Sequence, residues 1–292
     1  MTAAPRLAVI IPHYDDPFRL AKCLAALAPQ LAAAPRAECV VADNGSPCDL
    51  GPLRTAHPGI RFLDVPEKGA AAARNGGVAA TTAPGLLFLD SDCVPGPGWL
   101  AAAMALLAAF PEKGAVAGGR IGTFDETPPP RSGAEAFETV FAFRQRDYVA
   151  RKGFSVTANL LTTRRVFEDV GPLIVGLSED VDWCRRAVAK GYSLRYADGL
   201  EVAHPTRSDW AALRRKWHRT TSEGFQLNGT SAPARARWAL RALAVAASGP
   251  AHLPQVLRAE RLSGIEKRRA AATLLRLRLV RAGWMLGQAL RG

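Results

Sequence analysis

Three acidic motifs carry the chemistry that this 292-residue chain can do. Asp90 and Asp92 stand one residue apart in FLDSDCVP, directly after the apolar run 86–89. Carboxylates at i and i+2 in a turn can both reach one oxygen-loving divalent cation, Mg2+ or Mn2+, which cancels their mutual repulsion. A cation held by only one or two carboxylates takes phosphate oxygens to complete its shell, so the pair reads as a metal–diphosphate site. Asp43 ends a second apolar run in VVADNGS, where its carboxylate can accept a hydrogen bond from the ring N–H of a base. Tyr14, in PHYDD, can stack on a base, and Arg74, in the small-residue stretch KGAAAARNGG, can pair with phosphate. Each has an ordinary alternative: a solvated acidic turn, an Asp-Asn-Gly turn, an interface tyrosine, an exposed helix arginine. Glu179, Asp180 and Asp182 open a predicted helix, where acids compensate the helix dipole.

The elements that must position these residues follow from periodicity. Residues 7–11 (LAVII), 38–42 (ECVVA), 60–65 (IRFLDV) and 86–89 (LLFL) are short apolar runs that predict buried strands. Helical periods lie between them over 17–31 and 70–82, and again over 100–110 and 179–190. A weak strand is expected at 115–118, strand-like sequence at 156–162, and short strands at 194–196 and 201–203. Alternation of strand and helix predicts βαβ units around a largely parallel sheet, and ligands bind such sheets beyond the carboxyl ends of the strands. PHYDD, ADNGS and LDSDC all fall at such ends, so the topology gathers them along one edge. The run TPPPRS at 127–132 marks a loop or boundary, and 134–149 reads as an aromatic-rich helix.

As an ordered set, AVIIPHYDD, VVADNGS, KGAAAARNGG, LLFLDSDC and TANLLTTRRVFEDVGPL…LSEDVDWCRRAVAKGYSLRYADGLEVAHP resembles family 2 glycosyltransferases of the GT-A fold, over roughly residues 7–225. The resemblance implies an α/β fold with a Rossmann-like mixed central sheet flanked by helices and, here, a C-terminal helical extension. It implies a nucleotide-sugar-binding set of Pro12, Tyr14, Asp43, Arg74, Asp90 and Ser91. Within that set Tyr14 is similar to the residue that stacks on the base and Asp43 to the acid that reads it. Asp92 is similar to the family's direct metal ligand, with Asp90 nearer the ribose and metal waters and His204 near metal and diphosphate. Asp180 is similar to the family's general base, and Glu179 to its acceptor-side neighbour. The implied activity is inverting, non-processive transfer from a nucleoside-diphosphate sugar, UDP-linked being the common case, to a hydroxyl acceptor, with Mg2+ or Mn2+ as cofactor. Asp15 stands where Asn is commoner, and the segment 213–217 (LRRKW) keeps only the tryptophan and a basic neighbour of the Q-x-x-R-W signature of processive members.

Charge divides the chain unevenly. The net charge is +12, yet from Pro233 onward twelve Lys and Arg face only Glu260 and Glu266. The expected organisation is a catalytic domain over 1–232, with a nucleotide-sugar half to about 120 and an acceptor half beyond it, followed by a basic helical tail over 233–292. The tail suits docking on an anionic membrane surface, bringing the site to a lipid-linked or cell-envelope acceptor; packing as a basic cap is the alternative. Leu275, Leu279, Ala282, Leu286 and Leu290 share a helical stripe there. With the charge confined to the tail, nucleic acid is not the expected partner, although a basic polyanion-binding protein with a degenerate nucleotide fold remains the rival of a different class. A retaining transferase or a nucleotidyltransferase is the nearer rival. Five scattered cysteines without a C-x-x-C pair, no secretory leader and no apolar run of membrane-spanning length predict a cytoplasmic, peripherally bound protein.

Overall fold

The computed structural model describes residues 4–291, and its own contacts divide the chain into two units. The first unit contains residues up to 122 and 144–204; the second contains 123–143 and 205 onward. The division therefore runs through the region after 122 and at 204/205, elsewhere than at the expected 232/233.

The first unit is built on an eight-stranded mixed sheet. Its strands in chain order are β1 (Leu7–His13), β2 (Ala37–Asp43), β3 (Arg61–Asp64), β4 (Gly85–Leu89), β5 (Val94–Pro95), β6 (Val116–Phe124), β7 (Asn159–Thr163) and β8 (Leu194–Pro205). They lie in the order β3-β2-β1-β4-β7-β6-β8-β5. β3, β2, β1 and β4 are parallel, whereas β7 runs antiparallel to both β4 and β6, and β5 antiparallel to β8. β1 is buried at every position because helices cover both faces of a parallel sheet, which is why it reads as a continuous apolar run. The weak strand expected at 115–118 is the start of nine-residue β6, and the two short strands expected near 194–203 are one twelve-residue strand.

The helices of this unit are α1 (Pro17–Ala32), α2 (Gly51–Ala56), α3 (Ala70–Ala79) and α4 (Trp99–Ala108). The second unit interposes α5 (Gly133–Phe141). The first then continues with the single turn α6 (Gln145–Asp147), which runs into a wider π-helical turn at Tyr148–Lys152, and with α7 (Arg164–Val170) and α8 (Glu179–Ala189). α1 starts where Asp16 caps the N–H of Arg19 at 3.1 Å and Pro17 supplies a preset φ at the first helical position.

Asn159 ties the antiparallel half together. Fully buried, its amide donates to the carbonyls of Arg120 at 2.9 Å and Leu200 at 2.8 Å and accepts from the Trp99 indole N–H at 3.0 Å. A Cβ at Gly119 would collide with that amide and with the Leu200 carbonyl, so the close approach requires glycine.

The second unit is helical, with α9 (Trp210–Asn228), α10 (Ala232–Leu257) and α11 (Gly264–Arg291) packed beside α5. α5 is closed by a capping box in which Ser132 and Glu135 exchange bonds. The expected helix 134–149 is thus only its first half, and TPPPRS is the loop before it, tied down by Arg131 to Asp125 at 2.7 Å. Trp238 and Ala242 of α10 pack with Ala282, Met285 and Ala289 of α11. The expected apolar stripe packs only in part: Ala282 and Leu286 lie in this seam, Leu279 and Leu290 are 65% and 80% exposed, and Leu274 and Leu277, outside the stripe, are fully buried in a cluster with residues of α5.

Replacing Asn159 by Ala removes the three hydrogen bonds that its side chain makes to Trp99, Arg120 and Leu200. The expected cost is about 3 kcal/mol of unfolding free energy, read by urea denaturation with circular dichroism; a loss near zero would mean that the hub is dispensable.

Candidate active site

The parallel register of β1 and β2 sets His13 opposite Asp43. His13 Nδ1 lies 2.8 Å from Asp43 Oδ1, and the backbone N–H of Asp16 donates to Nε2 at 3.2 Å, so the ring proton sits on Nδ1 and is given to the carboxylate. Ser46 adds its N–H at 3.0 Å and its hydroxyl at 2.5 Å. Burial works to raise the Asp43 carboxyl, but the bonds from Ser46 and His13 outweigh it and hold the group below the usual carboxylate range. Three bonds leave about one of roughly four lone-pair sites for a ligand. Pro12 is buried in β1, whereas Tyr14 just beyond the strand is 58% exposed, with Lys68 Nζ 5.5 Å from its ring centroid. Asp15 is the non-glycine residue with positive φ (49°) among the described residues, and Asp and Asn are the types that best tolerate it.

Asn44, the second residue of the DNG turn, is more than a turn former. Its amide donates to the carbonyls of Val65 at 3.1 Å and Glu67 at 2.5 Å, and its Oδ1 accepts the N–H of Gly69 at 2.7 Å. It clamps the segment that enters α3. On α3, Arg74 is 4% exposed rather than lying on an open helix face. Its Nη2 donates to Asp90 Oδ1 at 2.5 Å and its Nη1 to Glu179 Oε1 at 2.8 Å. Burial alone would lower the guanidinium, but Asp90 and Glu179 more than offset it and raise it. Its Nε is buried without a partner.

Asp92 reaches a different partner. The turn after β4 closes with the Cys93 N–H donating to the Asp90 carbonyl at 3.0 Å, and Ser91, half-buried, occupies its tip. The antiparallel register of β5 with β8 pairs Val94 with Ala203, which brings Asp92 to His204. His204 Nε2 lies 3.2 Å from Asp92 Oδ2. A carboxylate oxygen and an imidazole nitrogen converge there, a donor set that fits a divalent cation still needing substrate or water oxygens. Among the described residues no three His, Cys, Asp or Glu form a complete cation site.

Asp180 lies in the first turn of α8. Its Oδ1 accepts the Val181 N–H at 2.7 Å and the Ser178 hydroxyl at 3.3 Å. Although part of its surface stays open, burial and then the adjacent Glu179 charge lift its carboxyl from the ordinary 3.8 to about 6, against the pull of Arg74.

All the site residues expected from sequence lie in the first unit. Arg74 joins Asp90 to Glu179, and His204 joins Asp92. Sequence reading missed His13, Ser46 and Asn44, although each stands inside a motif already singled out. A surface cavity of about 460 Å3 lies at the opposite strand ends near Arg6, Pro84 and Thr163, away from these motifs.

Residues 8–171 match the family model described as glycosyl transferase family 2. Glycosyltransferase AglE of Haloferax volcanii is 30% identical over 224 residues, covering 73% of this chain and 71% of that protein. Pre-mycofactocin glycosyltransferase of Mycobacterium tuberculosis is 34% identical over 188 residues, covering 60% of this chain and 39% of that longer protein. Among solved structures, mannosyltransferase PcManGT from Pyrobaculum calidifontis, in complex with GDP-Man and Mn2+, shares the fold at a TM-score of 0.57 and 16% identity, covering 99% of this chain and 74% of that one.

The raised Asp180 carboxyl costs stability. Below about pH 3.8 the group is protonated in both folded and unfolded states and costs nothing; above about 6 it is ionised in both and the full penalty applies. That ceiling is about 3 kcal/mol. Asp180→Asn is therefore expected to raise the Tm at pH 7.5 by about 5 °C, with the gain shrinking toward pH 4. A variant that melts lower at pH 7.5 would contradict the assigned environment.

Proposed function

The chain belongs to glycosyl transferase family 2, and we propose that it moves a sugar from a nucleoside-diphosphate sugar to a hydroxyl acceptor with inversion at the anomeric carbon. The observation that carries this reading is the gathering, in one unit, of the Arg74-bridged acids Asp90 and Glu179, the Asp92–His204 pair, and a neighbouring carboxylate held at about 6.

In this reading the exposed Tyr14 ring stacks on the base, and Asp43, held rigid by His13 and Ser46, accepts a hydrogen bond from it. Pro12 shapes the strand end on which Tyr14 stands. Asp90 and Ser91 lie toward ribose and diphosphate. Asp92 and His204 hold a divalent cation, the imidazole favouring Mn2+ over the harder Mg2+. When bound, that cation supplies charge neutralisation for the departing diphosphate. Asp180, ionised at neutral pH, accepts the proton of the acceptor hydroxyl as its oxygen bonds to the anomeric carbon and the bond to the diphosphate breaks. Glu179, fixed by Arg74, is a positioning residue for that turn. The GDP-mannose and Mn2+ of PcManGT make GDP sugars worth testing beside UDP sugars.

The second unit provides a surface for a peripheral, cytoplasmic-side location and a lipid-linked acceptor. Leu240, Leu243, Leu279 and Leu290 are exposed beside Arg237 and Arg276, a mixture that suits the headgroup region of an anionic bilayer. Among the described residues no helix is long and apolar enough to cross a membrane. Flotation with phosphatidylglycerol vesicles should recover the protein, and recovery should fall when Leu240 and Leu279 are replaced by Ser; equal recovery would remove this role from the leucines.

Two measurements test the chemistry. Thermal shifts with UDP, GDP and dTDP sugars, with and without Mn2+, should show one donor stabilising the chain only when metal is present, and Asp92→Ala should abolish the metal effect. Asp180→Asn should keep donor binding while losing about 10²–10⁴-fold in kcat, and wild-type kcat/KM should fall about tenfold per pH unit below about 6. A retained anomeric configuration or released pyrophosphate would replace this mechanism with a retaining transferase or a nucleotidyltransferase.

A further inference from the structure

A second charged site lies in the helical unit. Ala212, Arg215, Lys216 and Arg219 fall at i, i+3, i+4 and i+7 and share one face of α9, while Leu213, fully buried, faces the core. With Arg207 these residues line a cavity of about 230 Å3. A water occupies about 30 Å3 of liquid, so the cavity has room for a phosphate with part of its hydration shell.

The cavity is built rather than incidental. Glu138 of α5 is 2% exposed, and its Oε1 accepts from Lys216 Nζ at 2.9 Å and from Arg207 Nη1 at 2.9 Å. Its Oε2 accepts the Arg207 backbone N–H at 2.8 Å. Burial alone would raise this carboxyl, but Lys216 and Arg207 hold it below the ordinary range, so it is an anion clamped between two cations. One buried carboxylate thus fixes two cationic side chains at the cavity wall. It does not neutralise the set: Arg215 has no ion pair or hydrogen bond among the described residues, and exposed Arg219 lies 3.6 Å from Glu223. Burial, then repulsion from Arg207 and Arg219, lowers the Lys216 ammonium despite Glu138. Four cations held around a small concavity repel one another, and an oxyanion with several acceptor oxygens relieves that repulsion. A solvated helix face would leave its cations extended into water, whereas Arg207 and Lys216 are largely buried.

We propose that the Arg207–Arg215–Lys216–Arg219 cavity binds a phosphate-type oxyanion distinct from the diphosphate of the sugar donor. Such a group is carried either by a soluble phosphorylated acceptor or by a phospholipid headgroup. The inference is read by binding, so it stands apart from the metal and base roles assigned above.

The test uses the full chain with its donor site saturated by the stabilising nucleoside diphosphate and Mn2+, at ionic strength held constant with NaCl. Inorganic pyrophosphate, added with matched Mn2+, and inorganic phosphate are titrated by calorimetry. Binding should persist under saturation and weaken at least about tenfold in an Arg215→Ala/Arg219→Ala variant, whose alanines favour the helix. An Arg258→Ala/Arg268→Ala variant removes the same charge elsewhere in the unit and should bind as the wild type does. Vesicles containing phosphatidic acid that retain the wild type but not the first variant assign the headgroup source; binding of phosphate in solution without such retention assigns the soluble one. Displacement by the nucleotide, equal loss in both double variants, or no binding of phosphate, pyrophosphate or vesicles would each overturn the proposal.

Discussion

One buried guanidinium holds the acidic centre together. Arg74 is almost without exposure, and a charge in that position persists only with partners. It takes two, Asp90 from the turn after β4 and Glu179 from the first turn of α8. The forked guanidinium suits this task, because two terminal nitrogens can address carboxylates arriving from different elements, whereas a lysine presents a single point charge. The consequence reaches Asp92. With Asp90 engaged by Arg74, the turn presents its other acid to His204 across the β5–β8 pair. Two aspartates one residue apart therefore have different partners, a buried guanidinium for Asp90 and an imidazole for Asp92.

The sheet supplies the rest of the alignment. Parallel pairing of β1 with β2 carries His13 to Asp43, and antiparallel pairing of β5 with β8 carries Asp92 to His204. Both contacts follow from backbone register, so shifting either strand by one residue would turn the side chain to the opposite face. Asn159 and Asn44 secure the frame: the first by filling buried hydrogen-bonding capacity between strands, the second by stapling the entry to α3. Neither asparagine belongs to the acid set, yet each restrains an element that carries part of it.

Much of this was legible in the sequence because apolar runs and acid-bearing turns are local signals. β1, β2 and β4 read as continuous apolar segments, and the motifs at their ends announced the site. What escaped reading was pairing. Nothing local in DSDCVP and EVAHP says that β5 and β8 lie side by side, and a two-residue strand leaves no periodicity to detect. His13 was passed over because it sits within an apolar strand beside the more suggestive Tyr14. Arg74 was read as a phosphate-facing residue, since burial of an arginine cannot be inferred until two distant carboxylates are known to meet it. The stripe on α11 misled for another reason. α11 packs on two partners, burying Leu274 and Leu277 with residues of α5 and Ala282 and Leu286 with residues of α10, so one apolar stripe does not describe its buried surface.

Asp43 and Asp180 have opposed surroundings, which suit the different work proposed for them. Asp43 accepts three hydrogen bonds and is held as a firm anion, with little capacity to take a proton near neutrality. Asp180 accepts two, is largely withdrawn from water, and has a like charge as its neighbour, so its proton affinity is lifted to about 6. Environments that push paired titratable groups apart are how one scaffold separates a recognition acid from a proton acceptor. A rigid anion reads a fixed hydrogen-bond donor well but is a weak base; a poorly solvated one costs the fold stability and gains basicity where a hydroxyl must be deprotonated. The sequence alone could place both residues at strand or helix ends, but burial, the charge of Glu179 and the donors around each carboxylate distinguish them only in the fold.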